Sequence, residues 1–401
     1  MKKKIIIIAQ SMEIGGIERS AVGLINAIDS SKYDVDLLLF SRKGEFLPLV
    51  TEKCNVLPEI PQCATMLKSI KETLLSGHPF MAASRLISKI ETDRKFRKSG
   101  YGSDALVFAN LQSMWDKSVC LMPELKEEYD AVLGFMWPHH FAAGKIRAKK
   151  KIAWVHTDYT KAALNFEADR KIWNSFDYIV VVSDECGEAF KSVYPSLSKK
   201  VVTIENILST EFVRAQAEED APSEMKTDAI KILTVGRFCY AKAFDNAARI
   251  CKILLDRGMN IKWYALGYGT EEEKIKSLVL ELGIEERFIF LGKRVNPYPF
   301  IKACDIYVQP SRYEGKAVTV REAQMLGKPV MITDFITARG QVRDGFDAVI
   351  SPMATDRAAD TLQMLIENGE LRQRLSQNAL VSDYSNSGYI ERLFEIIEAG
   401  E

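Results

Sequence analysis

Two cations and two carboxylates in this 401-residue chain each follow a short apolar run, and their spacing could do chemistry. Arg237 and Lys242 come after "KILTVG", and Glu314 and Glu322 lie in "SRYEGKAVTVREAQMLGKPV" after "DIYVQ". A guanidinium forks onto phosphate oxygens and an ammonium neutralises them as a point charge. Beside Gly236 at the carboxyl end of a parallel strand, such a pair suits a diphosphate that gains charge as it leaves. The amides of Lys316, Ala317, Val318 and Thr319 are expected at the positive end of a helix running from about Ala317 to Leu326, facing phosphate oxygens. An ionised carboxylate only accepts hydrogen bonds, so Glu322, inside that helix, suits two adjacent hydroxyls such as those of a ribose. Glu314, in the loop before it next to Gly315, would project toward whatever the phosphates carry. Taken singly, two surface cations or two solvated glutamates would be an ordinary finding; the strand–glycine–helix setting is what raises them.

Further turns have the same form. "AQSMEIGGIERS" ends a strand in Gly15-Gly16 before a helix, and "YALGYGTEEEK" places Gly267 and Gly269 after another strand. Glycines there permit a tight turn and a close backbone approach to an anion. Neither is a G-x-G-x-x-G, so a nicotinamide dinucleotide is poorly supported. His156 in "IAWVHTDY" follows a strand and could act as acid, base or hydrogen-bond donor to a sugar hydroxyl. His139-His140 is a weaker candidate of that type. The one D-x-D, Asp34-Val35-Asp36, sits at the wrong end of its strand for a ligand crevice. No His, Cys and carboxylate cluster has metal-ligand spacing, so no metal is expected.

Positioning these residues takes a chain too long for one core, which suggests two domains. Apolar runs that are continuous rather than alternating imply strands covered on both faces, hence parallel, doubly wound α/β sheets. Expected strands are 4–9, 35–40, 105–109, 131–136, 152–155, 178–182 and 201–204. A second series follows at 230–235, 261–266, 288–291, 306–309, 330–333 and 348–350. Between them "AQAEEDAPSEMKTD" (215–228) has no periodicity and reads as a linker. The expected domains are 1–208, a linker 209–229, 230–380, and a closing helix in 381–401.

Net charge is zero, yet residues 1–200 hold 29 Lys and Arg against 24 Asp and Glu, so the front half is basic and the back half acidic. Seven cysteines without a C-x-x-C pair fit a reducing cytosol. "MKKKIIIIAQ" reads as a buried first strand rather than a leader, and no run approaches a membrane span. The expected location is cytoplasmic. Residues 66–100 place Met66, Leu67, Ile70, Leu74, Leu86, Ile87 and Ile90 at helical spacing among Lys68, Lys71, Arg85 and Lys89, followed by "DRKFRKSG". Such a basic amphipathic segment can dock on anionic lipid headgroups, or it is a helix pair packed on its own domain.

Together these residues resemble the family 4 glycosyltransferases, retaining enzymes of the GT-B architecture with two Rossmann-like domains facing across a cleft. Gly15-Gly16-Ile17-Glu18 is similar to the family's GG-x-E loop, Gly236-Arg237 with Lys242 to its diphosphate clamp, and Gly267 with Gly269 to its G-x-G loop. Glu314 and Glu322 match its E-x7-E signature, and His156 the histidine near the donor sugar. The resemblance covers essentially the whole chain and is strongest from 232 to 350. Lys316-Ala317-Val318-Thr319 departs from the common Phe-Gly-Leu-Pro, and Ala243 replaces the usual glycine after the clamp lysine.

The resemblance implies a retaining hexosyltransferase that needs no metal or other cofactor and makes no use of nucleic acid. It would move a sugar from a nucleotide-diphosphate sugar, a UDP-sugar by preference, to a glycan or polyprenyl-linked acceptor in cell-surface polysaccharide synthesis. Its closing helix would pack on the first domain. Two alternatives stand beside it: an epimerase or phosphorylase of the same architecture, and a non-catalytic glycan-binding protein on a degenerate transferase scaffold.

Overall fold

The computed structural model describes residues 2–50, 52–96, 103–161, 164–219 and 222–399. Arg97–Gly100 of the basic run, residues 220–221 of the expected linker and the last two residues lie outside these. The described residues form two units. The first comprises Met1–Glu13, Ile17–Asn206 and Gly388–Glu401, and the second Ile14–Gly16 and Ile207–Ser387.

The first unit is built on a parallel sheet of seven strands. These are β1 (Lys3–Ala9), β2 (Tyr33–Leu39), β3 (Asn55–Val56), β4 (Glu128–Gly134), β5 (Arg147–Val155), β6 (Tyr178–Val181) and β7 (Val201–Thr203). Their spatial order is β3-β2-β1-β4-β5-β6-β7. Four successive isoleucines, Ile5 to Ile8, are all buried, as a strand covered on both faces requires. The last helix, Tyr389–Glu398, belongs to this unit. Phe394 stacks on Tyr33 at 4.7 Å, and the Tyr33 hydroxyl donates to Glu398 Oε1 at 2.7 Å.

The second unit holds β8 (Ile230–Val235), β9 (Ile261–Leu266), β10 (Phe288–Gly292), β11 (Ile306–Gln309), β12 (Val330–Thr333) and β13 (Val349–Ser351). All are parallel, in the order β10-β9-β8-β11-β12-β13. Side chains alternate between the two faces, as the two-residue period of a strand dictates. Leu233, Val235, Tyr264, Leu266 and Tyr307 enter one core, while Ile232, Trp263, Ala265, Ile306 and Val308 enter the other. In each sheet the first strand lies between the second and the fourth. The crevice beyond the carboxyl ends at that reversal of order is where such sheets bind ligands. The fold class is therefore the expected α/β one, two doubly wound units.

Three expectations need correction, and one strand was not anticipated. Residues 105–109 are not a strand but part of the helix Ser103–Ser118. Burial at 109, 112, 115 and 118 follows the helical period, which the short run "ALVF" could not reveal. The short edge strand β3 was not anticipated; two residues carry no pattern. The presumed linker starts with a helix, Thr210–Gln216, capped by the Ser209 side chain, and its Val213 with Ala217 is buried in the second unit's core. That unit also runs on to Ser387, past residue 380. Leu208 N–H donates to Ser385 O at 2.9 Å, and buried Tyr384 reaches Asp347 at 3.1 Å.

Candidate active site

The loops leaving β8 and β11, the two strands that flank the second sheet's reversal point, carry the central residues. After β8 a short turn, Tyr240–Lys242, leads through Ala243 into the helix Phe244–Asp256. Ala243 caps that helix in the left-handed region at φ +53°. Lys242 Nζ donates to Glu314 Oε1 at 2.5 Å. The same oxygen accepts from Ser311 Oγ at 2.6 Å and Gln309 Nε2 at 3.4 Å. Thr337 Oγ1 holds the Glu314 carbonyl at 3.1 Å. Gln309 is fully buried, and its Oε1 accepts from the hydroxyls of Tyr307 (2.8 Å) and Thr319 (3.3 Å). One amide thereby connects Glu314 with the first turn of the next helix.

A second bridge braces the two loops. Arg312 forks onto Asp245 at 2.9 and 2.6 Å, donates to the Tyr240 carbonyl at 2.8 Å, and lies over the Tyr240 ring at 4.3 Å. Burial alone would raise the Asp245 carboxyl, yet the paired guanidinium holds it below its usual range. Charge is thus kept on both sides of the bridge at neutral pH.

Gly267 and Gly269 do their work against the β8 loop. A Cβ on Gly267, at φ +152°, would stand 1.8 Å from Gly236 O, and one on Gly269 would stand 2.3 Å from Phe238 O. Without those side chains the two loops bond directly. Gly236 N–H donates to Leu266 O at 3.0 Å and Phe238 N–H to Tyr268 O at 2.8 Å. Arg237 lies exposed between these contacts. Gly236 itself sits against the Lys242 side chain.

Beyond β11 the helix spans Val318–Met325, with Ala317 as its cap residue. Gly315 and Val318 are buried here, as is Lys316. The expectation that every amide from Lys316 to Thr319 faces a ligand is corrected for Ala317. Its N–H donates to Gln341 Oε1 at 3.1 Å, and Gln341 Nε2 donates back to its carbonyl at 2.5 Å. Glu322 is 0% exposed, and its Oε1 accepts from Tyr298 OH at 2.8 Å. A hydroxyl pair can reach that carboxylate only after a shift of what covers it.

Gly15-Gly16 follow β1, and the helix Gly16–Ala27 carries Glu18 in its first turn. A Cβ on Gly16 would meet nothing, so packing does not require glycine there. The preceding residues are pinned on Gly44, at φ +123°, where a Cβ would lie 2.0 Å from the Met12 backbone. His156 follows β5, and its Nε2 bonds the Phe135 carbonyl at 2.9 Å. A carbonyl only accepts, so Nε2 carries the proton. Burial pushes this imidazole down to about 4, so at neutral pH Nδ1 holds a lone pair and accepts rather than donates. That corrects the expected donor role. His139 and His140 are buried packing residues, bonded to Trp154 O at 3.0 Å and Asp116 at 2.8 Å. Asp36 of the D-x-D is buried too and accepts from Tyr129 OH and Asn55.

Sequence reasoning missed Gln309, Ser311, Arg312, Asp245, Tyr298 and Gln341. Positions 309 and 311 share a face of an extended segment with a visible period of two. Arg312 and Asp245 are 67 residues apart and carry no local signal.

Residues 215–381 match the family model described as glycosyl transferases group 1. The matched span lies within the second unit. It holds every candidate residue from Gly236 to Glu322. Among curated relatives, the lipopolysaccharide core biosynthesis glycosyltransferase LpsE of Rhizobium meliloti is 24% identical over 192 residues, 46% of this chain and 54% of LpsE. An N-acetylgalactosamine-N,N'-diacetylbacillosaminyl-diphospho-undecaprenol 4-alpha-N-acetylgalactosaminyltransferase of Campylobacter jejuni is 25% identical over 183 residues, 45% of this chain and 48% of that enzyme. The chain spans about half the length of the curated relatives it matches. Similarity in structure reaches further than similarity in sequence. Anabaena HepE, solved in complex with UDP and glucose, has a TM-score of 0.68 at 16% identity, covering 99% of this chain and 100% of HepE.

Proposed function

We propose that this protein transfers a glycosyl group from a nucleoside-diphosphate sugar, a UDP-sugar, to a hydroxyl of a glycan or lipid-linked acceptor in surface-polysaccharide synthesis. The observation that carries this reading is the Lys242–Glu314 pair, braced at the reversal point of a group 1 domain. UDP in HepE and the lipopolysaccharide and undecaprenol-linked chemistry of the relatives support the donor and acceptor classes.

In this reading the diphosphate draws Lys242 away from Glu314, and Arg237 adds a second positive charge. Charge placed in advance where the leaving group develops its own is often the largest catalytic contribution. The bond between the anomeric carbon and the diphosphate oxygen breaks, and the electron pair leaves with the diphosphate. The acceptor hydroxyl bonds to the same face, giving retention, and its proton passes to the departing oxygen. Glu314, released from Lys242, orients the sugar. Glu322, fixed by Tyr298, takes the ribose hydroxyls, and amides of the helix start take phosphate oxygens. Gly15, Gly16 and Glu18 belong to the binding set, and His156 accepts from a hydroxyl through Nδ1. Arg237 and Lys242 serve in place of a resident metal.

Incubation with a panel of UDP-sugars and with soluble glycan and polyprenyl-diphosphate-linked acceptors tests this, with product configuration read by NMR. A product with the donor's anomeric configuration is expected. An inverted product, or no transfer with any pair, overturns the reading.

A further inference from the structure

The helices between β3 and β4 present an apolar face to water. At the turn joining helix Ile70–Leu75 to helix Pro79–Phe96, Leu75 is 76% exposed and Phe80 is 77% exposed, with Leu74 beside them. Ile87 and Ile90 continue the stripe from Phe80 along the second helix, and both are exposed. The opposite side of that helix is buried at Met81, Ala82, Ser88 and Thr92. Its polar residues Ser88 and Thr92 therefore point inward and its isoleucines outward, the reverse of an ordinary surface helix. Contiguous exposed apolar side chains of this size mark an interaction surface.

Charge decides what the surface meets. Exposed Lys68, Lys71, Lys89 and Arg94 flank the stripe. Residues 66–100 hold eight Lys and Arg against three Asp and Glu, a net of +5. A second copy would bring the same cations face to face. An anionic bilayer would attract them and take up the apolar tip at the headgroup boundary. Among the described residues no helix is long and apolar enough to cross a membrane, so contact here is with one face.

We infer that this face docks on anionic lipid. Leu75 and Phe80 enter the headgroup boundary, and the four cations lie over the phosphates. This stands on the first unit alone and does not depend on the transferase reading, although it would hold the enzyme where a lipid-linked acceptor is anchored.

The test is sedimentation of the full chain with phosphatidylcholine vesicles, with and without phosphatidylglycerol. Binding is expected only with phosphatidylglycerol and is weakened by salt. Each cation near such a surface contributes enough that replacing Lys68 and Lys71 by Glu should lower vesicle affinity by about tenfold or more. Leu75→Ser with Phe80→Ser should do the same while leaving the melting temperature unchanged, because both side chains are exposed. No sedimentation at low salt overturns the proposal, as does undiminished binding by the Ser pair. A concentration-dependent dimer that the Ser pair abolishes assigns the face to a second copy instead. Transfer to a soluble acceptor is measured separately, so loss of that activity beside intact vesicle binding rejects the transferase reading only.

Discussion

Lys242 Nζ and Glu314 Oε1 lie 2.5 Å apart although 72 positions separate the residues in the chain. The ammonium proposed to receive the diphosphate is thus already occupied by a carboxylate, and a ligand must compete for it. Glu314→Gln should bind UDP a few-fold more tightly, because a competing charge is lost, while slowing transfer. Lys242→Ala should weaken binding and lower turnover by about 10²-fold. Calorimetry with UDP gives the decisive sign: weaker binding by the Gln variant would reject the competition.

Glu322 offers a two-part test. Glu322→Ala removes a buried acceptor of the Tyr298 hydroxyl and should cost about 1–3 kcal/mol in urea unfolding. The same variant should lower UDP affinity by about tenfold or more, on the scale of lost charged hydrogen bonds. Tyr298→Phe, which removes a hydroxyl that positions the Glu322 carboxylate, should lower it a few-fold. Unchanged affinity in both would remove the ribose role.

The backbone makes opposite predictions at three sites. Ala243 stands at a left-handed position, so Ala243→Gly should stabilise by about 1 kcal/mol, after the entropy of the unfolded chain has offset part of the relief. Gly267→Ala should destabilise by about 3 kcal/mol or more, since its Cβ would enter the Gly236 carbonyl. Gly16→Ala should leave stability within about 0.5 kcal/mol and reduce turnover alone, as a Cβ there meets only open space. Urea midpoints beside initial rates separate the three.

Stability should fall on mild acidification. Burial lowers His139 to about 3 and His156 to about 4, against 6.5 for the free group. Between those values the unfolded chain holds protons that the folded chain lacks, so stability rises with pH and is fully present above 6.5. It is lost as pH drops from 6.5 toward 4. His139 alone should contribute about 2 kcal/mol of difference between pH 7 and pH 5. The Asp169 carboxyl, raised by burial, works in the opposite direction nearer the carboxylate range. Isothermal urea unfolding across this window checks the slope, and a flat profile would contradict it.

Much of the architecture is determined by the sequence alone. Continuous apolar runs such as Ile5–Ile8 can be stable only where both faces are covered, and that requirement dictates parallel, doubly wound units. The types and order of Arg237, Lys242, Glu314 and Glu322 are likewise local information, because each follows a recognisable strand. Tertiary structure decided which of them touch. The Arg312–Asp245 fork, the Gln309 relay and the bond from Tyr298 to Glu322 join residues far apart along the chain or on different elements, and no periodicity encodes such a contact. His156 makes the same point at one atom: its position is readable, but only the Phe135 carbonyl settles which nitrogen carries the proton. Where Leu75 and Phe80 point was decided in the same way, since the helical period marks two faces and only packing says which of them the core takes.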